Sequence, residues 1–197
     1  MSYGPGGDEK VVAQNIEAND LALTAKGEIY FTDSAHKRVG YIDAKGQKRI
    51  VYDGGEIALP TALTLSPDQA MLVVADGQTR FSWSFQISPD GSLINGEPFF
   101  RVEMPEVSAL SGVQGVMVDE TGQVYFASDV GIQVCEQNGR CAQILSKPEF
   151  GTISSIAFGG KDLNWIYITE GGKLFRRPAK QVGVTPWLPV KPPKPAL

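Results

Sequence analysis

Apolar and polar positions alternate through most of this chain in short runs, separated by turn clusters rich in Gly, Asp, Asn and Ser. A period of two over such runs predicts half-buried β-strands, and the 3.6-residue period of amphipathic helices is not found. One pattern occurs four times. LALTAKGEIYFTD (Leu21 to Asp33), LTLSPDQAMLVVAD (Leu63 to Asp76), VMVDETGQVYFASD (Val116 to Asp129) and IAFGGKDLNWIYITE (Ile156 to Glu170) each give an apolar strand, a polar turn and a second strand ending in an acid.

The second strands start at Ile29, Leu72, Val124 and Ile166, spaced by 43, 52 and 42 residues. After the first three come further strand pairs around a Gly turn: VGYIDAKGQKRIV, SWSFQISPDGSLI and GIQVCEQNGRCAQIL. Four short strands in roughly 40 to 50 residues is the period of a β-propeller blade. The expectation is an all-β chain forming one propeller domain over residues 1–197, with blades beginning near 21, 63, 116 and 156. The longest gap holds NGEPFFRVEMPEVSALSG, read as a surface connection that carries Phe99 and Phe100 into the core. The proline-rich tail, 184–197, lacks the donors for a ladder and is expected to wrap the surface in extended form. Only twenty residues precede Leu21, which leaves open a four-bladed ring, an arc lacking earlier blades, or an arc completed by another chain.

Composition narrows the function classes. Hydrophobic residues make up 42% and charged residues 20% of the 197 residues, enough apolar content for a folded core. The 18 basic and 22 acidic side chains are interspersed and sum to −4, so no basic stripe offers itself to nucleic acid. No apolar run approaches the ~20 residues that span a bilayer, and MSYGPGGDEK has no signal-peptide pattern. The chain as written therefore reads as soluble and cytoplasmic, or exported if an N-terminal segment is missing. Cys135 and Cys141 flank the Asn138-Gly139 turn. They read as two free structural thiols, with a hairpin disulfide as the other reading; neither implies catalysis.

The wording of the repeats carries a resemblance. It rests on Ala18 to Asp33 (ANDLALTAKGEIYFTD), Leu59 to Asp68 (LPTALTLSPD), Gly112 to Ser128 (GVQGVMVDETGQVYFAS) and Ser155 to Thr169 (SIAFGGKDLNWIYIT). In these the chain resembles the senescence-marker-protein/gluconolactonase group, also called regucalcin-like. The resemblance implies a propeller of the six-bladed gluconolactonase type, about four blades of it present here as the C-terminal two-thirds. It also implies a divalent cation, calcium or zinc, at the channel mouth, held by residues that enter the innermost strands. Lactone hydrolysis would then use the cation to polarise the ester carbonyl and activate water, with a carboxylate as base.

The equivalent entries here are Asn19-Asp20, Thr61-Ala62, Gln114-Gly115 and Ser154-Ser155. Asn19 keeps the family pattern and is the implied metal ligand and substrate contact, with Asp20 as the catalytic carboxylate beside it. Thr61 and Gln114 take substrate-contacting positions, but they stand where the resemblance expects Asn and Asp. A cation is accordingly expected to bind weakly or not at all, and turnover to be slight or absent. The implied partner is a small lactone or sugar, with self-association through open blade edges; the competing reading is a non-catalytic carbohydrate-binding or protein-interaction propeller.

Other conspicuous residues have plainer readings. Asp33, Asp76, Asp129 and Glu170 recur once per repeat and suit turn capping. His36 reads as a solvated loop histidine, the Gly54-Gly55, Gly159-Gly160 and Gly171-Gly172 pairs as tight turns, and Trp83, Trp165 and Trp187 as packing residues.

Overall fold

A computed structural model describes residues 1–106 and 108–189; residues 190–197 of the proline-rich tail lie outside the described residues. Four β-sheets follow one another as propeller blades. Blade 1 comprises Leu21–Leu23, Ile29–Asp33, Arg38–Ile42 and Lys48–Tyr52. Blade 2 comprises Pro60–Leu65, Met71–Asp76, Phe81–Ile87 and Leu93–Arg101. Blade 3 comprises Gly115–Val118, Val124–Ser128, Gly131–Cys135 and Cys141–Leu145. Blade 4 has three strands, Ile153–Gly159, Trp165–Glu170 and Lys173–Pro178. Each sheet is an antiparallel meander in chain order, and the first strands of successive blades contact one another around the channel. Before blade 1, Ser2–Tyr3 pairs with Glu9–Lys10.

Turn chemistry explains the meander. Asp43 accepts N–H bonds from Lys45 and Gln47 on either side of Gly46, and Asp119 accepts them from Thr121 and Gln123 around Gly122. In both turns the glycine takes the left-handed φ, 82° and 84°, that closes the hairpin. The strand-ending acids behave as the sequence suggested most clearly at Asp76. Fully buried, it accepts bonds from the N–H groups of Ala58, Leu59, Gln78 and Thr79 and from the Thr79 hydroxyl. Glu170 is also buried, but among the described residues it accepts only the Glu149 N–H, at 3.3 Å, and its Oε1 has no partner there.

Three seams between the sheets form the core. Blades 1 and 2 meet through Tyr30, Tyr41, Leu63, Leu72, Trp83 and Phe85. Blades 2 and 3 meet through Val73, Phe100, Val113, Val116, Val124 and Phe126. Blades 3 and 4 meet through Tyr125, Ile132, Ile156, Ile166 and Ile168. The far flank of blade 1 is partly covered by residues 11–18, yet leaves Leu21 59% and Leu23 48% exposed; on blade 4, Leu174 is 67% exposed.

Two sequence expectations need correction. The outer strand of blade 2 runs on to Arg101, so the surface connection is shorter than its composition suggested; bulges between Ile94 and Glu97 and between Pro98 and Phe100 keep it in the ladder. Phe100 is buried as expected. Cys135 and Cys141 are bonded rather than free, because the hairpin register places them directly opposite each other.

Candidate functional site

The innermost strands surround a cavity of about 730 Å³. At the end where these strands begin, its mouth is lined by Asn19 and Asp20 from blade 1, Gln114 from blade 3 and Ser154 and Ser155 from blade 4. Each is fixed by backbone pairing. The Asn19 N–H donates to Thr32 O and the Thr32 N–H to Asp20 O, which extends the first hairpin of blade 1 past its last ladder pair. The Gln114 N–H donates to Ala127 O at 3.0 Å. Ser154 sits in a bulge between Ile153 and Ser155, and its hydroxyl lies 2.8 Å from that of Thr169.

Asp20 is the only charged side chain among the described residues lining this cavity. Its Oδ2 accepts the Leu63 N–H of blade 2 at 3.0 Å and its Oδ1 the Leu21 N–H at 2.8 Å, so it clamps two blades while facing the channel. Burial raises its pKa above the ordinary carboxylate value, against the two backbone donors, which favour the charged form.

Thr61 does not line the cavity. It sits in a bulge between Pro60 and Ala62, is 3% exposed, and turns its hydroxyl into the seam to donate to Val113 O at 2.7 Å. Its carbonyl accepts the Asn19 side-chain amide. The result is a hydrogen-bonded chain across three blades: Asn19 to Thr61, and Thr61 to Val113. Asn19 and Gln114 each contribute a neutral side-chain amide to the cavity lining.

This arrangement bears on the implied cation. Calcium takes six to eight oxygens and tightens with carboxylate charge; zinc prefers His and Cys. The lining residues supply one carboxylate, already accepting two N–H bonds, and neutral amides and hydroxyls, with no His or Cys among them. That donor set does not fit either centre. A separate group lies on the rim of blade 1, where ligand atoms of Glu17, Asp33 and His36 come within 4.8 Å of one another. Local geometry accounts for it, since Asp33 caps the turn by accepting the His36 N–H at 3.2 Å and pairs with the imidazole at 2.9 Å.

The opposite end of the channel was not legible in the sequence. Val184, Pro186 and Trp187 line it, because residues 182–186 cross the base of the arc. The Glu120 N–H donates to Val182 O and the Gly183 N–H to Leu163 O. Gly183 packs against Phe158 so closely that any Cβ would overlap the ring. Gln69 completes the crossing by accepting the Ala25 N–H of blade 1 and donating to Pro186 O. Its left-handed φ of 59° belongs to the turn closed by its own N–H bond to Ser66 O. Trp187 is 71% exposed at this end, rather than packed between blades.

Comparison with known proteins agrees with this architecture. A gluconolactonase from Zymomonas mobilis is 24% identical over 84% of this chain and 51% of its own length. The pentonolactonase XacC of Haloferax volcanii is also 24% identical, over 84% of this chain and 58% of its own. The chain thus spans somewhat more than half the length of these curated relatives. Among solved structures, a gluconolactonase from Xanthomonas campestris superposes with a TM-score of 0.69 at 25% identity, covering 82% of this chain and 56% of the other. With four propeller blades meeting at one channel mouth, and residues 8–172 matching the model of the SMP-30/gluconolactonase/LRE-like region, the chain belongs to that family.

Proposed function

We propose that this chain supplies the lactone-recognising arc of a gluconolactonase-type hydrolase acting on a sugar lactone or similar cyclic ester. The observation that carries the reading is Asp20, a lone half-buried carboxylate in a cavity otherwise lined by amides, hydroxyls and apolar groups. The Asn19 and Gln114 side-chain amides, with Ser154 and Ser155, are placed to hold ring hydroxyls. Asp20 takes a proton from water as the water oxygen bonds to the ester carbonyl carbon; the ring C–O bond then breaks and the departing oxygen takes that proton back. Burial makes Asp20 a stronger base than an exposed carboxylate, which suits this role. The cation is left out of these steps because the donor set does not fit one.

The test is acid release from glucono-δ-lactone, followed with a pH indicator, alongside methionine-methyl NMR of Met117 in the channel wall. Lactone is expected to shift Met117, with slight turnover that Asp20→Asn lowers by about 10²-fold, at the low end for a general base. An unmoved Met117, or an unchanged rate in Asp20→Asn, overturns the reading. Gln114→Asp, which adds a second carboxylate to the cavity lining, is expected to raise calcium affinity in calorimetry; tight calcium binding by the unmodified chain would show that the ligands lie elsewhere. The exposed leucines on the flanks of blades 1 and 4 support self-association, which concentration-dependent light scattering detects and a monomer at high concentration refutes.

A further inference from the structure

A second cavity, of about 540 Å³, opens at the base of the seam between blades 2 and 3. It adjoins the channel, sharing Thr64, Leu65, Ser66 and Val118 with its lining. Its floor is apolar: Leu65, Pro67, Met71, Val73, Phe99 and Phe100. Its rim is acidic, with Asp68 and Glu97 from blade 2 and Glu120 from blade 3. No Lys, Arg or His lines it, and none of the three carboxylates takes part in an ion pair among the described residues.

The cleft exists because of the side chains that build this seam. Valines and alanines dominate here, whereas Tyr30, Tyr41, Trp83 and Phe85 fill the neighbouring seam. Its size falls in the range of small-molecule sites, which are mostly apolar with a few placed polar groups. The three carboxylates give the rim a negative potential above a low-dielectric floor, which favours a cation there. The partly buried Phe99 ring, packed edge to face on Phe100 at 5.0 Å, adds a face of negative electrostatic potential that attracts ammonium groups.

We propose that this cleft is a second ligand site, for a small organic cation with an apolar body, of the aryl- or alkylammonium class. It is independent of lactone chemistry. The ammonium group sits at the acidic rim, and the apolar body lies on Pro67, Met71 and Phe99.

The four methionines give a direct readout, since Met71 lines the cleft and Met117 the channel. The full chain, labelled at methionine methyls, is titrated with benzyltrimethylammonium, benzyl alcohol and benzylsulfonate. Benzyltrimethylammonium is expected to shift Met71 saturably while Met117 stays in place, and to bind at least about tenfold more tightly than either control. Glu97→Gln with Glu120→Gln, two exposed positions whose change leaves the fold intact, is expected to weaken binding about tenfold, and added salt to weaken it further. The proposal fails if Met71 does not respond, if the alcohol or sulfonate binds as well, if the double variant keeps its affinity, or if Met117 moves instead.

Discussion

The two seams that flank blade 2 are built from opposite faces of the same strands, and they solve the packing problem differently. Towards blade 1, large aromatics fill the interface and their polar ends find partners: the Tyr30 hydroxyl donates to Gly91 O at 2.9 Å, and Arg49 lies over the Tyr41 ring at 4.9 Å. Gly91 is required there, since a Cβ would fall 2.4 Å from that ring. Towards blade 3, small aliphatics bring the sheets together, hydroxyls of Thr61 and Ser111 bond across to Val113 O and Asp76 O, and the base is left open as the acidic cleft. Aromatic side chains with polar tips lock a seam along its length; valines and alanines leave room at its end.

Leu72 and Val73 put this difference to the test, because they are neighbours on one strand and face the two seams in turn. Leu72→Ala, at a site with no solvent exposure, is expected to cost about 3–4 kcal/mol in urea unfolding. Val73→Ala removes less volume beside an existing cleft and is expected to cost about 1–2 kcal/mol; equal losses would break the comparison. Reducing the Cys135–Cys141 bond, whose half-cystines are six positions apart, is expected to cost about 2 kcal/mol through the unfolded state. Unfolding with and without reductant measures it. Tyr30→Phe, which deletes the bond to Gly91 O and leaves the ring in place, is expected to lower stability by about 1 kcal/mol.

The smallest effect is one of pH. Because burial raises the Asp20 pKa above 3.8 in the fold, the folded chain binds more protons than the unfolded chain between 3.8 and that raised value. Asp20 therefore lowers stability as pH rises through this window and contributes no further slope above it. Asp20→Asn lacks that loss, so its stability relative to the parent should climb from about pH 4 upward before levelling off. A relative stability that falls instead would mean that the two backbone donors outweigh desolvation.

Much of the architecture was legible because strand alternation and acid-ended hairpins are local. Four blades, their order, the glycine turns and the capping role of Asp76 all follow from residues a few positions apart. Asn19, Asp20 and Gln114 share a cavity because equivalent positions of a repeat converge on an axis. Thr61 escaped the same logic through its bulge, which rotates one side chain off the expected face without disturbing the pattern on either side. The outer strand of blade 2 was missed for a related reason, since two bulges and Pro98 interrupt its alternation. Gln69 and the acidic cleft depend on segments brought together from distant parts of the chain, and no local period records them.

The Gln69 crossing sets a timetable for assembly. Its bond to Pro186 spans 117 positions, and at the usual ~5–20 residues per second a ribosome needs about 6 to 23 s to make the intervening chain. During that interval blades 1 and 2 are completed and Gln69 is able to take the Ala25 N–H, but the segment 182–186 that crosses the base does not yet exist. The nascent arc must hold its curvature through its seams and the Asn19, Asp20 and Gln69 bonds between blades 1 and 2, and the base of the channel is crossed only after most of the chain has been made.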